Sequence, residues 1–562
     1  MPSPASPAAQ PAADGHRPSA AAAPARVLIL GGGFAGVAVA QELEKRVRRL
    51  SRLIDVTLVS KTNYLLFLPM LPEAASGSIE LTHIMSPLRP LIPRTRVRIE
   101  SVQSIDLTQQ TVTTLQPSTR REQVLPWDYL VIALGNIVDL AGLAGVAQHG
   151  LPIKTIGDAL HIRNRAIEML DGAEAATDPD ERRRLLTFVV AGGGFSGVEL
   201  AAELNAFLRD AARAYHTILA QDIRLVLLHS GERLLPELSA GLARFAQRQL
   251  QRQGIELKLR TRLAAATAQE VILQDGERLG ANTLVVAVGA GTNPVLRSLE
   301  AAKDRGRLKV DRTLLLVGQT RVWALGDCAA VPDPKAKQDD QYVPPTAQFA
   351  LREGRTVARN IVATLEGRPP QPFTFAGLGQ LVSLGQHTAV AELLGRIKVS
   401  GLLAWLLWRG FYLSRLPGLE RKLRVWIDWT LDLFSRRDLA QLNVQRTERV
   451  TLAHYEPGQV IIRQGDPADA FFVIMRGEVQ VVREQPDGTE LEVDRMHQGD
   501  SFGEVGLLQH RRRNATIRAV DAVDVIALGS TDFGLLAESW QGLANLLAHT
   551  ASERTPQRPL VS

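Results

Sequence analysis

The chain holds a single cysteine, Cys328, in 562 residues. One thiol excludes an intrachain disulfide, a multi-cysteine metal site and a redox-active dithiol. No run of about 18 apolar residues is free of charge, so no segment reads as a helix able to span a bilayer. Membrane contact would therefore be peripheral, and the sequence offers no path for proton pumping. The first 25 residues, rich in proline and alanine, lack the basic start and apolar centre of a signal peptide. They read as a disordered leader on a cytosolic protein. What is present is ordinary for packed domains: 45% apolar and 22% charged residues, over a length that implies three or four structural units. A net charge of +6 suits acidic partners such as phosphorylated cofactors, anionic lipid or nucleic acid.

Two glycine motifs carry the first functional signal. RVLILGGGFAGVAVAQE at 26–42 is a β-branched strand, then Gly31, Gly33 and Gly36 in G-x-G-x-x-G spacing, then an alanine-rich helix opening with Phe34 and Ala35. TFVVAGGGFSGVELAAEL at 187–204 repeats it with Gly192, Gly194 and Gly197, followed by Phe195 and Ser196 around the third glycine. In such a motif one glycine makes the tight turn, one admits the pyrophosphate to backbone, and one lets helix and strand pack closely. Two copies imply two dinucleotides. Second strands follow at 55–60 and 223–229. The acid expected there to hold a ribose 2′-OH is replaced by Ser60, followed by Lys61, in the first unit and by His229 in the second. The loss of the carboxylate at His229, with Arg233 nearby, leaves both NADH and NADPH open. DYLVIALGN (128–136) and NTLVVAVGAGTNP (282–294) place Gly135 and Gly289 just past buried strands. TRVWALGDCAAVP (320–332) supplies Asp327, whose carboxylate can accept from flavin-dinucleotide hydroxyls or serve as an ordinary turn aspartate. Cys328 reads as a small buried residue.

These stretches, with NYLLFLPMLPEAASGSIE (63–80) and VPPTAQFALREG (343–354), resemble the type II NADH:quinone oxidoreductases over the first 440 or so residues. The resemblance implies an α/β protein of two nested Rossmann-like domains, FAD on the first motif and NADH on the inserted one. It implies hydride transfer from nicotinamide to flavin and onward electron transfer to a quinone. It also places Glu199 by the nicotinamide and flavin rings, and Ala347 and Gln348 by the flavin and quinone. The family's second glutamine, four residues after the first, is Arg352 here, which alters the polarity of the quinone pocket. Read from its own surroundings, Glu199 sits one turn into a helix whose positive end stabilises it. Disulfide reductases and sulfide:quinone reductases of this fold need cysteines that the chain lacks.

From 396 to 437 the chain carries four of its seven tryptophans and nine Lys or Arg against three acids. Trp405, Trp408 and Tyr412 recur at helical spacing, as do Trp426, Trp429 and Leu433, and Pro417-Gly418 divides the stretch into two helices. Aromatics interspersed with positive charge suit helices lying in a membrane interface, with rings among the headgroups, or the faces of a homodimer.

Beyond Arg437 short β-rich segments are separated by glycine turns, the pattern of a small β-roll. QGDSFGEVGLLQHRRRNATIRA (498–519) resembles the phosphate cassette of cyclic-nucleotide-binding domains. In that reading Phe502 and Gly503 open a short helix, Glu504 accepts from the ribose 2′-OH, and Arg513 offers a fork to the phosphate. Asn514 and Ala515 add donors. A short helical stretch at 532–549 leaves no DNA-reading module, so nucleic acid is not an expected partner.

The domain boundaries expected are a leader at 1–25, FAD domain at 26–150 and 299–366, NAD(P)H domain at 151–298, membrane and dimer region at 367–437, cyclic-nucleotide domain at 438–550 and tail at 551–562. The combined expectation is a peripheral, homodimeric flavoenzyme on the cytoplasmic face of a bacterial inner membrane, regulated by a cyclic nucleotide, cAMP in preference to cGMP. No metal is expected. The alternatives are a non-enzymatic redox and second-messenger sensor, or a reductase of a protein electron carrier.

Overall fold

The computed structural model describes residues 24–47, 54–140, 142–288, 290–336, 341–385, 387–393, 395–434, 437–442, 451–466, 468, 470–485, 489–508 and 512–529. The expected leader, the 532–549 helix, the tail and Gly289 lie outside them, apart from Pro24 and Ala25 of the leader.

The β-branched opening segment forms β1 (Ala25–Leu30), and the glycine turn leads into α1 (Phe34–Val47). β2 (Ile54–Ser60), the short α2 (Leu71–Ala75), β3 (Arg96–Ile99) and β4 (Tyr129–Ile132) follow. The chain then leaves to build a second parallel sheet from β5 (Gly150–Pro152), β6 (Thr187–Ala191), β7 (Arg224–Leu228), β8 (Ile255–Lys258) and β9 (Thr283–Val286). Its helices are α3 (Ile156–Ala175), α4 (Phe195–Ala211) and α5 (Ala240–Arg252). β10 (Val322–Ala324) returns to the first sheet and completes the order β10-β4-β1-β2-β3, while the inserted sheet runs β5-β9-β6-β7-β8. All pairings within both are parallel. Strands covered on both faces read as continuous apolar runs, which is why β4 and β9 are buried throughout.

α6 (Ala347–Leu365) packs along α1. A β-carbon at Gly354 would lie 2.6 Å from the Ala35 carbonyl oxygen, so this glycine sets how closely the two helices approach. Past α6 the sequence builds a three-stranded antiparallel sheet, β11 (Gly379–Ser383), β12 (Ala389–Leu393) and β13 (Ile397–Gly401). The first residues of the expected amphipathic stretch are therefore a strand. Two helices then flank Pro417-Gly418 as expected, α7 (Leu402–Arg415) and α8 (Leu419–Leu431). The inserted sheet, α4, β11, β12, α7 and α8 share one apolar core.

The chain divides into two compact units at Leu442/Asn443. The second is a β-roll of two four-stranded sheets. Its elements are β14 (Thr451–Tyr455), β15 (Val460–Ile462), β16 (Ala470–Arg476), β17 (Val479–Glu484), β18 (Glu490–Met496), β19 (Ser501–Phe502), α9 (Glu504–Leu508), β20 (Thr516–Ala519) and β21 (Val523–Gly529). The sheets run β14-β21-β16-β19 and β15-β20-β17-β18 around Phe472, Ile474, Phe502 and Val525.

Candidate active site

The two glycine turns are built alike. At Gly31, with φ +115°, an added β-carbon would fall 2.1 Å from the Ala133 carbonyl oxygen, and at Gly36 one would fall 2.0 Å from that of Gly31. Gly33 has nothing within 4 Å. In the second turn the corresponding distances are 2.9 Å at Gly192 and 1.9 Å at Gly197, and Gly194 again faces open space. Two glycines thus let strand, turn and helix close up, and the third leaves backbone open where a pyrophosphate approaches. Gly194 caps α4 without a side-chain hydrogen bond, and the first intrahelical bond is from the Val198 N–H, so the N–H groups of Phe195, Ser196 and Gly197 face outward to an anion.

Around the first cradle, Ser60 is buried at the end of β2 and Lys61 is exposed beside it. Gly135 has φ +64° and open space at its α-carbon. Asp327 sits half-buried on the turn Gly326–Cys328; burial raises its pKa, and Lys154 and Arg307 oppose the shift. Ala347 opens α6 next to Thr346, whose buried Oγ1 has no hydrogen-bond partner. An open glycine, an acid between two cations and an orphaned hydroxyl at a helix start are donors and acceptors that fit the phosphates, hydroxyls and ring of FAD. The Cys328 thiol is buried and pushed up to about 12, so it is inert as a nucleophile.

Glu199 is buried on α4, where its Oε1 accepts from the Ser383 N–H at 2.9 Å and from Trp408 Nε1 at 3.1 Å. Burial pushes its pKa to about 8, against those two hydrogen bonds, with Glu203 adding to the rise. This corrects the expectation of a carboxylate stabilised by the helix start. Sequence reasoning also missed two further acids on this face. Glu73 on α2 accepts from Trp429 Nε1 at 3.3 Å and is driven far up by burial, with Glu203 next. Glu203 accepts from the Ser76 and Ser78 hydroxyls and pairs with Arg437 at 3.3 Å. Their signal was available: Glu73, Ser76 and Ser78 lie inside the 63–80 stretch, and Glu203 is one turn after Glu199. A third missed acid, Glu353, accepts from the Gly326 N–H at 2.7 Å and is raised to about 7 by burial.

Gln348 is clamped to backbone. Its Nε2 donates to the Gly379 carbonyl at 3.1 Å and its Oε1 accepts from the Leu378 N–H at 3.2 Å. Arg352 donates to the Gln348 carbonyl at 3.0 Å and stacks 3.9 Å from the Phe375 ring centroid. At the second cradle, His229 is half-buried with its ring against Gly193, and burial keeps it neutral at pH 7. Arg233 is spent on its own loop, donating to the Pro236 carbonyl at 2.8 Å.

The burial of the tryptophans corrects the expectation that their rings face outward. Trp405, Trp408 and Trp429 are buried in the core, and only Trp426 of the four is exposed. The other exposed large apolar residues of α7 and α8 are Leu402, Leu403, Leu406, Leu407, Leu419, Leu423, Ile427 and Leu431. Among the described residues no helix is long and apolar enough to cross a membrane.

In the roll, Phe502 is buried, Gly503 has φ +94°, and Glu504 opens α9 in a buried position. Arg513 is buried and donates to the carbonyls of Gly503 at 2.9 Å and Ala470 at 2.7 Å. Asn514 is exposed and Ala515 buried beside it. The cassette residues are therefore brought together.

Comparison with known proteins decides the family. Residues 25–354 match the pyridine nucleotide-disulphide oxidoreductase family, 378–438 the NDH2 C-terminal domain and 452–539 the cyclic nucleotide-binding domain. The type II NADH:quinone oxidoreductase NdhA of Mycobacterium tuberculosis is 31% identical over 438 residues, 75% of this chain and 89% of its own. The chain belongs to the type II NADH:quinone oxidoreductases. The demethylphylloquinone reductase NdbB of Synechocystis is 32% identical over 410 residues, 72% of this chain and 95% of its own. The structure of NDH2 from Plasmodium falciparum in complex with NADH shares the fold with a TM-score of 0.67 at 19% identity, covering 74% of this chain and 99% of that one. This type II enzyme transfers electrons from NADH through FAD to a quinone without pumping protons, associates with the membrane peripherally, and carries a cyclic-nucleotide-binding domain after its oxidoreductase part.

Proposed function

We propose that Glu199 and Gln348 mark the reacting end of this oxidoreductase, that it accepts NADPH as well as NADH, and that cAMP bound to the C-terminal roll alters its turnover. It works as a homodimer on the cytoplasmic face of a bacterial inner membrane, held there by the exposed leucines of α7 and α8. The observation that carries the reading is Glu199: one buried carboxyl, on the helix of the second glycine motif, hydrogen-bonded to both β11 and α7.

FAD, when bound at the first cradle, supplies the two-electron relay between nicotinamide and quinone. The chain's part is orientation and proton handling. With its pKa at about 8, Glu199 holds its proton at neutral pH. Oε1 receives both hydrogen bonds, which leaves Oε2 to carry the proton. A quinone takes up two protons with two electrons, and Glu199 can give one because the Ser383 and Trp408 N–H groups already stabilise the carboxylate that results. Gln348, fixed at both ends of its amide, positions the acceptor. At the second cradle, neutral His229 offers no repulsion to a 2′-phosphate, which supports use of either nicotinamide cofactor.

Separate stopped-flow measurement of flavin reduction by NADH and reoxidation by a short-chain quinone tests the site. Gln348→Ala is expected to raise the quinone KM about tenfold, the scale of one lost positioning hydrogen bond, while flavin reduction keeps its rate. Equal losses in both half-reactions would remove Gln348 from the quinone site.

A further inference from the structure

A cavity of about 650 Å³ opens between α4, α5, α7 and the residues that follow α8. Neither Glu199, Gln348 nor any glycine of the two cradles lines it. Four arginines do, Arg209, Arg213, Arg409 and Arg437, with only two acids, Asp210 and Asp432. Both acids are already matched. Asp432 accepts from Arg437 at 3.2 Å, and Asp210 faces Arg213 at 3.4 Å.

Among the described residues, neither Arg209 nor Arg409 forms an ion pair of its own. Arg209 donates, among the same residues, only to neutral oxygens, Asn205 Oδ1 at 3.0 Å and the Ala220 carbonyl at 2.7 Å. Arg409 lies against Trp405 and Trp429, 3.8 and 4.7 Å from their ring centroids, and its buried Nε has no hydrogen-bond partner. The acids that reach Arg409 electrostatically are Glu73, Asp432 and Glu203. Burial favours the neutral form of Glu73, and Glu203 and Asp432 are both held by Arg437. A partly buried guanidinium with no direct ion pair is costly, and an anion in the cavity would stabilise it. Gln253 adds a buried Oε1 with no donor, suited to a ligand hydroxyl. At the rim, Leu433 and Phe434 are 47% and 86% exposed, apolar surface that no described residue covers.

We propose that this cavity binds the phosphodiester head group of an anionic phospholipid, with the phosphate on Arg209 and Arg409, a head-group hydroxyl on Gln253, and the acyl chains leaving over Leu433 and Phe434. The lipid source rests on the peripheral membrane reading; the phosphate site does not.

The test is titration of the FAD-loaded full chain with dihexanoyl-phosphatidylglycerol below its micelle concentration, read by calorimetry and by tryptophan fluorescence, since Trp405 and Trp429 flank Arg409. Dihexanoyl-phosphatidylcholine and inorganic phosphate run in parallel. Expected is one saturable site per chain for the glycerol lipid, about tenfold weaker for the choline lipid, and about tenfold weaker again in Arg409→Gln, the loss of one charge-assisted hydrogen bond. Arg213→Gln, exposed at the solvent-facing edge, is a second variant that leaves folding intact and, by leaving the Asp210 charge unopposed beside the cavity, is expected to weaken binding in the same sense. Inorganic phosphate binding as tightly as the glycerol lipid would assign the site to a free phosphate compound and overturn the lipid. No saturable binding, or binding unchanged in both variants, would overturn the site. Quinone turnover measured on the same samples separates either failure from a failure of the oxidoreductase reading.

Discussion

Glu199 shows what a motif can and cannot tell. Its place two residues after Gly197, one turn into the helix, was legible from spacing alone. Its protonation was not, because the groups that bury it, Ser383 and Trp408, arrive 184 and 209 residues later in the chain. Desolvation in that core outweighs the modest benefit of a helix start. An unfolded glutamate ionises near 4.5, whereas the native one keeps its proton to about 8, so the folded state binds more protons in that window. Stability from this group is therefore full below the lower value and lost as pH rises through the upper one, by about 1.4 kcal/mol per pH unit. Glu199→Gln keeps a neutral acceptor and removes the titration. The thermal midpoint of the native protein should fall relative to that variant between about pH 5 and pH 8; parallel midpoints would contradict the assignment. His229 supports a second expectation. His229→Asp restores a ribose-binding carboxylate and repels a 2′-phosphate, so steady-state kinetics should show NADPH KM raised about tenfold or more, with NADH unaffected or improved.

At the scale of elements, helical periodicity found α7 and α8 and the Pro417-Gly418 break between them. It pointed the wrong face outward. Both helices are apolar on more than one side, and a period of 3.6 says which residues share a stripe, not which stripe is covered. The broad rings of Trp405, Trp408 and Trp429 pack into the core, where Trp408 and Trp429 also donate to Glu199 and Glu73. Leucines remain outside. Replacing Leu402, Leu403 and Leu406 together by serine should leave folding and flavin content intact, because all three are more than half exposed. Vesicle sedimentation should then show binding reduced by roughly tenfold per leucine that was inserted in lipid, at about 1.5 kcal/mol each. Undiminished sedimentation would place the membrane contact elsewhere. The strand at 397–401 escaped the sequence because it pairs with β12 only through the sheet that 379–393 builds.

For the whole molecule, two sheets were readable because each βαβ unit announces itself locally, whereas their nesting followed from the family resemblance and is seen in the return of β10 to the first sheet. The β-roll was readable for the same reason, through its glycine turns and the cassette at 498–519. The proposed effect of a cyclic nucleotide in one unit on electron transfer in the other requires two states of the protein, which no motif spells out. The decisive measurement is NADH oxidation by a short-chain quinone, with flavin-loaded full-length protein in mild detergent, titrated with cAMP. Expected is quinone turnover that changes saturably with cAMP, and loss of that change in Arg513→Ala. Flavin reduced by NADH with no quinone turnover would contradict the reaction, and turnover indifferent to cAMP would contradict its regulation.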